Sequence, residues 1–311
     1  MKQFAYFITA VLVSVSASAD PLRKENVSPD AKWILHLDVE NLLSTQLGGF
    51  FGREFVDKQL AKPLRDIERQ FGIVFDWREI KSVTAYGTDF KKAAQGSGVL
   101  LIEGFDFAGA LDAVIEKLSA QGAGHVPLEK LQADPFPIYA AKGEFFGAPA
   151  GDRRFLLSKS KEQLERAREV AVGRAANLSS GNSFPALAGA PKGFLLAAVA
   201  DGFQSAAKLP APAQGLKNAE SGQVVAGESA DKVFVNLALN AKTAESASQM
   251  QQVLQGLLAL ATLSQEENKD LATLVQGLKV SGAEKTVSVN RELPDEIVIA
   301  KVNEKHSKRR R

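Results

Sequence analysis

Between Lys32 and Val39 the side chains alternate. Trp33, Leu35, Leu37 and Val39 point one way, and Ile34, His36 and Asp38 point the other. A period of two marks an extended strand, because successive side chains leave a pleated backbone on opposite faces. One face of this strand is apolar and is expected to be the core face; the other is mixed. The chain must therefore build a sheet, and later segments are expected to cover it.

A helical stretch is expected over 40–71, with Phe51, Phe55, Leu60, Leu64, Ile67 and Phe71 at helical spacing and Gly72 as its stop. Strands are expected near Glu79–Gly87 and Gly98–Phe105, then a helix over Phe107–Leu118 with Asp106 as N-cap. Pro137–Phe146 and Arg153–Ser158 read as strands, and Lys161–Val172 reads as a charged helix. Residues 173–192 are rich in Gly, Ala, Ser and Pro and poor in large apolar groups, which marks a boundary.

Beyond that boundary the order recurs. Gly193–Ala200 reads as a strand, Gly222–Glu228 and Lys232–Asn240 as a hairpin, 243–279 as a broken helical region, and Lys285–Arg291 as a last strand. The expected fold class is α+β: two ferredoxin-like (β-α-β-β-α-β) repeats, each an antiparallel sheet with its helices packed on one face. The expected division is a first domain over 20–175, a linker over 176–192, a second domain over 193–300 and a basic disordered tail over 301–311. The second sheet face of such a unit must be solvated, bind something or pack on its twin.

The first nineteen residues read as an export leader. Lys2 precedes an apolar run, Phe4–Val13, and Ala17-Ser18-Ala19 offers the small residues a signal peptidase reads. Ten apolar residues fall short of the roughly 20 that span a bilayer, so cleavage is expected over a retained anchor. The longest later apolar run, Gly256–Leu263, is shorter still, so no transmembrane segment is expected in the mature chain. The expected location is the periplasm or the extracellular medium.

The 311 residues include no cysteine, which excludes disulfides, thiolate metal sites and a cysteine nucleophile. Three histidines remain: 36, 125 and 306. His36 and Asp38 lie two apart on one strand and so share a face. They read either as a general-base pair or half a metal site, or as a polar pair in which Asp38 caps the next helix. The second reading is the expectation. No nucleophile elbow, Walker loop, zinc-protease helix or dinucleotide fingerprint occurs, and neither a cofactor nor a metal is expected.

The tail holds six Lys or Arg against one Glu. Lys305, Lys308, Arg309, Arg310 and Arg311 are candidates to contact a polyanion, or else form a solubilising end. No aromatics interleave with them, so no nucleic-acid partner is expected.

The runs F-G-I-V-F-D-W-R-E-I-K-S-V-T-A-Y-G (Phe71–Gly87) and G-V-L-L-I-E-G-F-D (Gly98–Asp106) resemble uncharacterised exported bacterial proteins. In those, a block of helix, Gly, strand ending in Tyr-Gly, strand and helix precedes a second block like Val233–Leu263. The resemblance implies an exported, bipartite, non-enzymatic protein and lends no catalytic residue.

Two functions are compatible with these features. The first is a non-enzymatic binding or structural protein of the envelope or periplasm, engaging an envelope protein or polymer through a sheet face around His36, Asp38, Thr84 and Tyr86. The alternative is an exported hydrolase using carboxylates, Asp38 among them.

Overall fold

The structure is a computed structural model and describes residues 22–90, 98–120, 128–141, 144–180, 184, 193–200, 211–263 and 277–309. The leader, His125 and the last two arginines lie outside these residues. The chain divides into two compact units. The N-terminal unit comprises Asp20–Ser44 and Gly48–Asn182; the C-terminal unit comprises Thr45–Leu47 and Ser183–Arg311. The class is α+β, with antiparallel strand pairing throughout both units.

In the N-terminal unit the strands are β1 (Trp33–Asp38), β2 (Ser82–Gly87), β3 (Gly98–Glu103), β4 (Leu128–Leu131), β5 (Ile138–Ala141), β6 (Phe145–Pro149) and β7 (Arg154–Ser158). Their order across the sheet is β1-β2-β3-β7-β6-β5-β4. This differs from a split β-α-β unit, in which the strands flanking a helix run parallel with another strand between them. Here β1 and β2 flank the whole helical stretch yet are antiparallel neighbours, Trp33 facing Gly87 and Asp38 facing Ser82.

That helical stretch is segmented: α1 (Val39–Leu43), α2 (Gln46–Phe51), a π-helical turn (Gly52–Asp57) and α3 (Lys58–Phe71). Gly72 ends α3 in the left-handed region at φ 72°, where a glycine carries no Cβ penalty, and its N–H closes on the Glu68 carbonyl. Two further helices complete the unit, α4 (Phe107–Ala120) and α5 (Lys161–Ala171).

Those two helices lie on opposite sheet faces, a second departure from expectation. Tyr139 reaches Ala108 and Asp112 of α4, and it shares the face of Leu157, Leu100, Ala85 and Leu35 by register. Arg154, on the other face, donates to the Ala171 carbonyl of α5. The face of β1 that reads as apolar is not the deeply buried one. Ile34, His36 and Asp38 are buried, whereas Trp33, Leu35 and Leu37 are half-buried. The reason is what covers each side: α5 and the segment before β1 close over the mixed face, where cross-strand partners satisfy its polar groups.

In the C-terminal unit β8 (Leu195–Val199), β9 (Ala219–Ser229), β10 (Lys232–Ala241), β11 (Lys279–Ala283) and β12 (Thr286–Pro294) run in the order β8-β9-β10-β12-β11. The β9–β10 hairpin turns through Ala230 and Asp231, both left-handed at φ 53° and 59°. Helix α6 (Ala244–Leu263) packs Ala247 and Met250 on Ala219, Leu239, Ala241 and Val287. Residues 301–309, expected as disordered tail, are helical: α7 (Asp295–Arg309) opens with two acids, which suit a helix N-terminus, and buries Val298. The strand orders β1-β2-β3-β7-β6 and β8-β9-β10-β12-β11 share one pattern.

Candidate functional site

The four sheet residues singled out in the sequence do converge. His36 faces Thr84 in the β1–β2 register, and His36 Nδ1 and Thr84 Oγ1 share a hydrogen bond of 2.9 Å. Tyr86 stands opposite Ile34, one pleat away, and Asp38 opposite Ser82. None of them is presented to solvent: His36, Asp38, Thr84 and Tyr86 are 5%, 1%, 4% and 2% exposed.

Their groups are engaged internally. The Asn41 N–H donates to Asp38 Oδ1 at 2.8 Å, so Asp38 is the N-cap of α1. Burial pushes the Tyr86 phenol well above its ordinary pKa, with the Ser28 backbone opposing the shift.

A polar row crosses four strands at the end of this face. Register aligns Asp38, Ser82, Glu103 and Arg154. The Ser82 hydroxyl donates to Glu103 Oε2 at 2.8 Å, and Arg23 approaches Glu103 Oε1 at 3.7 Å. Arg154 Nη1 donates to Asn26 Oδ1 at 3.0 Å and to the Ala171 carbonyl at 3.2 Å. The segment before β1 thus supplies Arg23 and Asn26 as a polar cover. Buried polar groups with partners are tolerated in an interior; without them each costs about 1–3 kcal/mol.

The opposite face is the reverse case, apolar but loosely covered. Leu35, Leu37, Val83, Leu100 and Ile102 are only half-buried. No residue of α3 and none of α4 is buried, although both carry apolar stripes at helical spacing. Ile67 of α3 is 37% exposed, and Val74, just beyond the helix, 73%. By contrast α5 buries Leu164, Ala167, Val170 and Ala171.

Helix α3 is anchored mainly at its start. Trp77 Nε1 donates to Asp57 Oδ1 at 2.9 Å, and Arg78 reaches Asp57 Oδ2 at 2.6 Å. Between the last turns of α3 and α4 lies an open cleft of about 620 Å³, lined by Asp66, Arg69, Gln70 and Lys117. Across α4, Asp112 accepts from Lys130 at 2.7 Å and from the Tyr139 hydroxyl at 2.9 Å. Burial, then that carboxylate, raise the Tyr139 phenol far above its ordinary pKa.

Sequence reasoning found the apolar stripe of α3 but assigned it to the core. The signal that separates the two readings, how much sheet is left for a helix to cover, is absent from a local pattern. Among the described residues no group of three or more His, Asp or Glu is placed to hold a metal. Among them, too, no helix is long and apolar enough to cross a membrane. Helix α7 includes Lys305, Lys308 and Arg309, whose side chains lie outside the described set, as do Arg310 and Arg311.

No protein-family model matches the chain, and no curated protein matches it. Among solved structures it is similar to the Treponema pallidum protein TP0453. In crystal form III the identity is 11% and the TM-score 0.48, over 92% of this chain and 98% of that one. In crystal form I the identity is 11% and the TM-score 0.45, over 92% and 97%.

Proposed function

We propose that this is an exported, non-enzymatic binding or structural protein of the bacterial envelope or periplasm. It engages an envelope protein or polymer through the loosely covered apolar layer of its N-terminal unit. The observation that carries the reading is that neither α3 nor α4 buries a single residue, while the sheet face on their side is apolar and half-exposed. Helices that filled a core would bury their stripes, as α5 does; contiguous exposed apolar surface marks an interaction site. The polar face around His36 and Asp38 serves the fold instead, each group being hydrogen-bonded and covered.

Two further observations support a bipartite binding scaffold built twice on one plan, ferredoxin-like repeats being the sequence-level form of that idea. In each unit a polar row joins the second, third and last strands: Ser82, Glu103 and Arg154 in one, and Ser221, Asn240 and Thr286 in the other. In the second, Asn240 donates to Ser221 at 3.0 Å and accepts from Thr286 at 2.9 Å. The helix caps also match. Asp106 stands three residues after Glu103 and accepts from the Gly109 N–H; Thr243 stands three after Asn240 and accepts from the Ser246 N–H. Export rests on the leader, Phe4–Val13 with Ala17-Ser18-Ala19.

The test is a photo-crosslinking phenylalanine analogue placed at Ile67, with the same analogue at Arg166 on the well-packed α5. Exposed to an envelope extract, the Ile67 probe should form an adduct that the Arg166 probe does not. Identical adducts from both positions, or none from Ile67, overturn the reading.

A further inference from the structure

Where α7 begins, the C-terminal unit buries an acid beside another acid. Asp295 is 2% exposed and Glu228, on β9, is 4% exposed. The Asp295 carboxyl hydrogen-bonds that of Glu228, and neither of its oxygens meets an N–H or hydroxyl donor among the described residues. Two carboxylates have no proton to offer each other, so this contact requires one proton held between them.

The surroundings determine how firmly that proton is held. Asp231, in the β9–β10 turn, adds a third carboxylate, and its carbonyl accepts the Asp295 N–H at 3.3 Å. Glu296 adds a fourth from α7 itself, and Gln46, which donates to Asp231 Oδ1 at 3.3 Å, is neutral. Burial first, then these acids, push the Asp295 carboxyl above its ordinary range, while the hydrogen bond to Glu228 works against them. On the other side stand the amides at the N-terminus of α7 and the buried guanidinium of Arg291 on the same face of β12. Lys232 pairs with Glu292, on the opposite face.

The attachment of α7 depends on this spot. Asp295 and Val298 are buried, while Ile297 is 42% exposed. We propose that the Glu228–Asp295 pair is a proton-operated latch for α7. With the shared proton in place the helix is docked on β12; when it leaves, like charges repel at the helix start and α7 detaches.

The test uses the full chain. Amide-exchange protection factors, corrected for intrinsic rates, are followed for α7 and for α5 from about pH 5 to about pH 8, a range that begins above the ordinary carboxylate pKa. In the wild type α7 protection should fall about tenfold or more relative to α5 as pH rises. Asp295→Asn and Glu228→Gln each replace the shared proton with a permanent amide donor, so both should keep α7 protected across the range. Wild-type protection of α7 that tracks α5 at every pH overturns the latch. So does a fall in both amide variants equal to that of the wild type. Where one variant does not fold, the other decides.

Discussion

His36 and Thr84, 48 residues apart in sequence, face each other across the β1–β2 ladder with Nδ1 and Oγ1 2.9 Å apart, and both are buried. The contact places a titratable ring inside the N-terminal unit rather than on its surface. It also accounts for the deep burial of the mixed face of β1: a polar residue is admitted to the interior when a partner stands opposite in the register.

Removing one partner leaves the other buried. His36→Ala and Thr84→Val should each lower stability by about 2 kcal/mol, and the double variant should lose about 1 kcal/mol less than their sum. Urea unfolding of the four proteins checks this; strict additivity would show that the pair does not interact.

Asp38 caps α1 through the Asn41 N–H. Asp38→Asn keeps an acceptor at that place and should cost no more than a few tenths of a kcal/mol, against about 1 kcal/mol for Asp38→Ala. Equal losses in thermal melts would mean that the charge, and not the cap, matters.

Arg168 is buried on α5 and holds two carbonyls of the neighbouring loop, Asp134 at 2.7 Å and Phe136 at 2.9 Å. Lysine keeps the charge but lacks the planar fork. Arg168→Lys is expected to lose about 1–2 kcal/mol and Arg168→Met about 3 kcal/mol, since the latter strands both carbonyls. Denaturant midpoints for the two variants give the comparison, and a methionine variant as stable as the wild type would refute it.

Gly104 adopts φ 118°, and a Cβ there would overlap the Glu79 carbonyl oxygen. Gly72 is also left-handed, yet nothing lies within 4 Å of its Cβ position. Gly104→Ala should therefore cost about 3 kcal/mol or more, and Gly72→Ala about 1 kcal/mol. The order of the two unfolding midpoints is the measurement.

Tyr86 and Tyr139 hold their phenol protons more tightly in the fold than in the unfolded chain. Their contribution is complete below about pH 10 and declines above it, because the unfolded chain ionises first. Melting temperatures should fall more steeply between about pH 9 and pH 11 in the wild type than in Tyr86→Phe. Parallel curves would exclude Tyr86 as a source of the alkaline sensitivity.

Much of the fold was legible along the chain. The alternation over Lys32–Val39, the glycine that stops α3, the Asp106 cap and the β9–β10 hairpin all depend on neighbours a few residues away. Strand β11 and helix α7 were missed. The first is a short exposed edge with little apolar signal, and the second is a charged segment whose helix rests on few buried residues.

By itself the sequence determined that β1 has two unlike faces, that α3 carries one apolar stripe, and that no thiol chemistry is open to the chain. Only the tertiary structure decided which face of β1 goes inside and whether that stripe finds a cover. Alternation records a difference between faces, not what packs against each. Here Arg23, Asn26, Arg154 and α5 close over the polar face, while α3 and α4 leave the apolar one half open. Those contacts join segments far apart in sequence, and strand register, a non-local property, brings them together.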